Sequence, residues 1–215
     1  MKYLFVFLLT FLLGILGVVS YGILKKSPGK PIQNIIQTVT KPEFTIDKAP
    51  SESVNGNILS ITGNVNWEDR TATESSPITS PSPTIQQGEE IDTLDTGQVS
   101  VEFPNAINIT VAPKTQIDFV QTLPASFVAS IASGSAEFKK LGSTPVSVRA
   151  LHLLLKQNNG DTIVSVDNDN SLINLNILAG SIIAAYNDTN LVSHEMEFNA
   201  PQQIVFNDLT RTFGL

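Results

Sequence analysis

The sequence contains no cysteine, which excludes disulfide staples, thiolate nucleophiles, cysteine-based zinc sites and a lipidated cysteine anchor. Histidine occurs twice and tryptophan once, so imidazole chemistry has little to draw on. Helical periodicity is equally scarce. After Val39 no amphipathic stretch of ten or more residues spaces its apolar side chains as a helix would. Basic residues are few and scattered. From Ser53 onward seven Lys and Arg stand against seventeen Asp and Glu, a balance of −10, and only Lys139 and Lys140 are adjacent. A surface that neutralises phosphates needs clustered cations, so no nucleic-acid partner is expected.

What is abundant at the start of the chain is hydrocarbon. Tyr3 to Leu24 is a run of 22 residues without a formal charge. A helix of that length spans about 33 Å, enough to cross a bilayer, and it exceeds the apolar core of a signal peptide, about 7–15 residues. Residues 1–26 are therefore expected to form a single-pass anchor that meets the cytoplasmic membrane through residues 3–24. The alternative is a cleaved signal ending at a small residue such as Ser20 or Gly22, which would give a secreted protein. Lys25, Lys26 and Lys30 follow the run, and by charge alone they would hold the rest of the chain inside. Long polar domains translocate largely regardless of such counts. Residues 27–52 form the expected stalk: Pro28, Gly29 and Pro31 prevent a continued helix, and Pro42 limits Ile32–Val39 to one or two turns.

From residue 53 to 215 the pattern changes to period two. Val99, Val101 and Phe103 alternate with Ser100 and Glu102, and Ile107, Ile109 and Val111 repeat the alternation. That is the signature of strands with one buried face. Turn signals separate them at Asn55-Gly56, Gly63-Asn64, Pro104-Asn105, Asn159-Gly160-Asp161 and Asn187-Asp188. The expectation is an all-β domain of about twelve short strands. Glu68 to Thr84 interrupts it, with Pro77, Pro81 and Pro83 in a segment rich in Ser and Thr, and is read as a flexible loop between the second and third strands.

The order of these features resembles the FecR domain family. Residues 64–69 with the preceding glycine, GNVNWED, look like its early Gly-x-Val strand followed by tryptophan. Gly88, Glu89, Ile91 and Thr93 fill the places of its hallmark, in which glycine and an acidic residue precede a hydrophobic residue, a threonine and a strand. FPNAINITVAPKTQIDF matches the next unit, with Asn105-Ala106 where the family usually carries Asp-Gly. SGSAEF, DTIVSVD and LAGSIIAAY match later strand-plus-glycine units, and NAPQQIV the closing segment, with Pro201 in place of a glycine. The resemblance runs from about Val54 to Phe206. It implies a β-solenoid-like domain facing the cell envelope, and a generic β-sandwich would carry similar turns. The best-known members regulate sigma factors through an N-terminal cytoplasmic domain; only two residues precede the apolar run here, so that role is not expected. Gly88 and Gly97 are expected to supply turn conformations, Gly97 with a positive φ.

Candidate chemistry is sparse. His152, in ALHLLL, is read as a buried or edge-facing structural residue. His194 and Glu195 are neighbours on a strand and face opposite sides of a solvated surface. In VDNDNSL, Asp167, Asp169 and Ser171 alternate like the start of a calcium loop, but the sixth and twelfth places hold Leu172 and Leu178, so the segment is read as a hairpin turn. Glu89 and Glu90 are read as adjacent surface carboxylates with no glycosidase spacing. Trp67 either caps the core or offers a flat face to a sugar or peptide. Asn108 and Asn187 begin glycan sequons of the kind that arise by chance. No catalytic, cofactor-binding or metal-binding residue is expected, and no cofactor. The functional expectation is a non-catalytic, membrane-anchored module outside the cytoplasm that binds or organises an envelope protein or polysaccharide. The alternatives are a glycan hydrolase of the envelope and a structural subunit of a surface assembly.

Overall fold

The computed structural model describes residues 48–72, 74–79 and 84–214. Among them no helix is long and apolar enough to cross a membrane; the expected span at residues 3–24 and the stalk before residue 48 lie outside the described residues. The strands are β1 (Asn57–Thr62), β2 (Asn66–Glu68), β3 (Ser76–Pro77), β4 (Glu90–Asp92), β5 (Gln98–Phe103), β6 (Ile107–Val111), β7 (Gln116–Leu123), β8 (Ser126–Lys140), β9 (Val146–Ala150), β10 (Leu153–Asp167), β11 (Leu172–Asn187), β12 (Ser193–Asn199), β13 (Gln202–Asn207) and β14 (Thr212–Gly214). One hydrogen-bonded sheet joins all of them, and every pairing is antiparallel except β8 with β9.

The sheet folds over into two layers. One layer runs β3, β2, β4, β7, the first half of β8, β9, the first half of β10, the second half of β11, and β12. The other runs β1, β5, β6, the second halves of β8 and β10, the first half of β11, β13 and β14. Their inner faces meet through aromatic rings. Phe103 on β5 lies 5.1 Å from Phe119 on β7 and 4.8 Å from Phe127 on β8, and Phe198 on β12 lies 5.0 Å from Phe213 on β14. The predicted period of two holds: Val99, Val101, Phe103, Ile107, Ile109 and Val111 are all fully buried, while Ser100 and Glu102 face outward. Each such side chain contributes roughly 1.5–3 kcal/mol of transfer free energy.

The expectation of uniformly short strands is corrected. FVASIA and SAEF are one strand of 15 residues, and SLINLNIL and GSIIAAY are one of 16. DTIVSV is the second half of another 15-residue strand. A glycine lies inside each. Gly134, Gly160 and Gly180 adopt φ of 83°, 83° and 77°, a region open to glycine without a Cβ clash. Each redirects its strand from one layer to the other while the ladder continues on both sides.

These crossings stack. Along one border the chain changes layer near Asn64, Leu94, Lys114 and Gly134, and adjacent crossings are tied together. Lys114 N donates to Leu94 O at 2.7 Å, Thr115 N to Thr93 Oγ1 at 3.0 Å, and Ser135 N to Thr115 Oγ1 at 2.8 Å. Thr93 and Thr115 are buried, and their hydroxyls satisfy backbone groups that the turns leave unpaired. Along the other border Gly160 pairs directly with Gly180, and Ala200 N donates to Gly180 O at 2.9 Å. Thr93 and Thr115 are thus the rungs of the first border.

Two local expectations change. Gly97 does not take a positive φ; a Cβ there would collide with the carbonyl oxygens of Asn64 and Thr93, so the neighbouring crossing, not the turn, requires glycine. The segment from Glu68 to Thr84 is more than a loop. Glu68 belongs to β2, Ser76–Pro77 forms β3 against Asn66 and Trp67, and Ile78 is buried, its amide donating to Val65 O at 2.8 Å. Proline is tolerated in β3 because β3 is an edge strand. Asn105 adopts φ 59°, a conformation asparagine tolerates, so Asn-Ala fills the turn without glycine.

Candidate functional site

The hallmark residues are structural. Gly88 sits in a turn, as expected, with φ 83°, and Glu89 follows it into the interior. Glu89 is only 4% exposed, which corrects its reading as a surface carboxylate. One oxygen, Oε2, accepts from Trp67 Nε1 at 2.9 Å and from Gln86 N at 2.7 Å. Burial pushes the carboxyl above its ordinary range, and these two hydrogen bonds oppose that only in part. Trp67 is half-buried and packs against the core, so it acts as a cap, pinned by Glu89. Glu90 does face outward. It stands directly opposite Glu68 on one side and Asp118 on the other, accepts from Gln116 Nε2 at 2.7 Å, and is pushed up by burial and then by Asp118.

The histidines have different settings. His152 sits in the β9–β10 turn with 57% of its side chain exposed. Its Nδ1 lies 2.9 Å from Asp208 Oδ2, so it is a turn residue rather than a buried one. His194 lies on β12 as expected, stacked on Tyr186 at 5.2 Å and 3.0 Å from Asp188 Oδ2. The hydrogen bond from His194 holds the Asp188 carboxyl below the usual range. The VDNDNSL segment is the β10–β11 turn. Asp167 accepts from Asn170 Nδ2 at 2.7 Å and from its amide at 3.2 Å, and these bonds lower its pKa. Asn108 lies on β6, where its Oδ1 accepts from Ser100 Oγ at 3.1 Å, and Asn187 ends β11.

The site that sequence reasoning missed is at the C-terminal end of the stack. The cleft there has a volume of about 510 Å³ and opens between β12 in one layer and β13–β14 in the other. Met196 and Phe198 line it from β12, Ile204 from β13 and Phe213 from β14, together with Tyr186 and Gln203. Tyr186, Phe198, Phe206 and Phe213 form one aromatic cluster with centroid separations of 4.9–5.5 Å. Phe206 is fully buried and Phe198 nearly so, but Met196 remains 41% exposed and Phe213 is partly exposed. An apolar cleft with a few polar groups at its rim is suited to holding a ligand or partner. No carboxylate lines it among the described residues. A second hollow, of about 570 Å³, lies beside Asn64, Pro77, Ile78 and Leu94. The alternation of EMEF is visible in the sequence, RTF carries no strand signal of its own, and nothing there marks either as uncovered.

The fold defines a class: a two-layered all-β domain built by a chain that repeatedly crosses between its layers. No family model matches the sequence, and no curated protein matches it. Two solved structures of a candidate anti-sigma factor from Parabacteroides distasonis ATCC 8503 share the fold. They align with TM-scores of 0.50 and 0.51 at 16% and 15% identity. Each alignment covers 58% of this chain and 57% of the other, so the chain matches little more than half the length of that protein. At such identity the likeness is one of fold.

Proposed function

We propose that this chain is a membrane-anchored, FecR-like binding module, displayed outside the cytoplasmic membrane, that holds an envelope protein or polysaccharide and performs no chemistry of its own. The observation that carries the reading is the cleft between β12 and β14, where the hydrophobic interior reaches the surface through Met196 and Phe213. Monomeric domains rarely leave such apolar surface open without a use for it. The fold shared with candidate anti-sigma factors supports a regulatory or signalling setting, and the 22-residue uncharged run at the start of the chain supports the anchor.

Site-specific photo-crosslinking in intact cells tests this. A crosslinking residue at Met196 of the full chain should give a discrete adduct in the envelope fraction, whereas one at Asp169, in an exposed turn, should not. No adduct at Met196, or an adduct with a cytoplasmic protein, would contradict the proposal.

A further inference from the structure

The described domain has four sheet edges, and three are blunted. β3 is two residues long and ends in proline, β14 is three residues long, and β1 is interrupted by a bulge between Ile58 and Ser60. Short, bulged and proline-bearing edges are the usual protections against unwanted strand pairing. β12 has none of them. It pairs with β11 through seven consecutive positions, Ser193 to Asn199, without a register shift.

The direction of its backbone groups follows from the two bonds that frame this ladder. Asp188 N donates to Val192 O and Ala200 N to Gly180 O, both at 2.9 Å. In an antiparallel pair alternate residues face the partner strand, so His194, Met196 and Phe198 bond to β11. Ser193, Glu195, Glu197 and Asn199 therefore aim their N–H and C=O groups outward, and among the described residues nothing pairs with them. The two faces of the edge differ. Met196 and Phe198 point toward the cleft, while Glu195 and Glu197 are exposed on the other face. Their cross-strand neighbours on β11 are Ala185 and Ile183, and neither carboxylate has an ion-pair partner among the described residues.

We infer that β12 accepts an extended peptide strand from a partner protein, with apolar side chains at alternate positions seated over the cleft and Lys or Arg between them opposite Glu195 and Glu197. The inference rests on the binding role proposed above and names the partner's chemistry. Main-chain hydrogen bonds give such an added strand its affinity, and side chains on its two faces give it specificity. Opposite charges directly across a strand pair are favourable and like charges unfavourable. The same rule disfavours a second copy of this chain as occupant. An antiparallel β12–β12 pair centred on Met196 sets Glu195 against Glu197 twice over, and one centred on either glutamate sets it against itself.

The test uses the full chain in detergent and a synthetic peptide, Thr-Val-Lys-Val-Lys-Val-Thr, with a Glu-for-Lys version as control. Amide exchange read by mass spectrometry should slow across residues 193–199 with the lysine peptide and not with the glutamate peptide. A Glu195→Lys/Glu197→Lys variant should bind the lysine peptide at least tenfold more weakly and gain affinity for the glutamate peptide. If that variant fails to fold by circular dichroism, Glu195→Gln/Glu197→Gln should still lose most of the preference between the two peptides. Lysine-peptide binding that leaves 193–199 exchanging, or that ignores the charge changes, would overturn the inference, as would the absence of binding. Self-association or glycan binding that protects these amides in place of the peptide would overturn it too. A crosslink at Met196 combined with no effect at β12 would leave the proposed function standing and remove only the strand addition.

Discussion

The two ends of the stack hold similar aromatic side chains in different states. Near the N-terminal end Phe103, Phe119 and Phe127 are at most 1% exposed. They are covered because the chain entering β1 pairs with the opposite layer: Gly56 and Ile85 exchange backbone hydrogen bonds at 2.7 and 2.8 Å, and Val54 N donates to Thr122 O at 2.7 Å. At the C-terminal end Tyr186, Phe198 and Phe213 pack as closely, yet among the described residues no strand bridges β12 to β14. The difference lies in the covering strand. The closed end spends its aromatic area on stability, and the open end leaves part of it available to a partner.

The largest expected effect breaks the closed end. Val101 is fully buried and Glu102, its neighbour, faces outward. Val101→Asp places an unpaired carboxylate in an apolar interior and should cost several kcal/mol, comparable with the whole stability of a small domain. Glu102→Lys should stay within about 0.5 kcal/mol. Thermal melts of the two variants decide it, and the reverse ranking would mean that β5 is inverted in register.

A matched pair of truncations sharpens the comparison directly. Phe103→Ala should cost about 3–5 kcal/mol, as for a fully buried phenylalanine. Phe213→Ala removes a ring already partly exposed and should cost only about 1–2 kcal/mol. Chemical denaturation of both measures the gap. Equal losses would mean that the open end is as closed energetically as the other.

The covering strand itself is tested by Gly56→Val. A Cβ at Gly56 would stand 2.6 Å from the Phe103 ring and 2.8 Å from Val101. Forcing it in should push the clasp off the core at a cost of about 1–3 kcal/mol. The readout that distinguishes this from general damage is faster amide exchange at Phe103 and Ile85 with β12 unchanged.

The smallest effect is electrostatic. The carboxyl of Glu89 is held above its ordinary range by burial. A group whose pKa is raised on folding contributes stability that is fully present below its unfolded pKa and is lost as pH rises through the folded value. The domain should therefore lose a small increment of stability as pH rises from the ordinary glutamate range toward neutrality. Glu89→Gln keeps an acceptor for Trp67 Nε1 and Gln86 N, and should raise the melting temperature at neutral pH while flattening that slope. The sole tryptophan reports the outcome by fluorescence.

The sequence disclosed the parts of this molecule that follow local rules. Alternation in β5 and β6 identified each buried side chain, because a strand with one covered face leaves no other pattern. The turns at Asp167–Leu172 and at Gly88 were legible for the same reason. The long strands were not, because Gly134, Gly160 and Gly180 bend a ladder without ending it, and composition cannot separate those two uses of glycine. Glu89 was misread because its burial depends on Trp67, 22 positions away. The open cleft was invisible for a broader reason. Met196 alternates like any core residue, Phe213 stands in a stretch too short to show a pattern, and only the order of strands in space leaves them uncovered.

Residue-resolved amide exchange of the uncomplexed full chain is the most direct test of the contrast between the two ends. The outward amides of Glu195 and Glu197 should exchange far faster than those of Val101 and Ile109, which should open only with the whole domain. Protection at Glu195 and Glu197 equal to that of β5 and β6 would mean that β12 is already covered, and the account of an open binding end would fall.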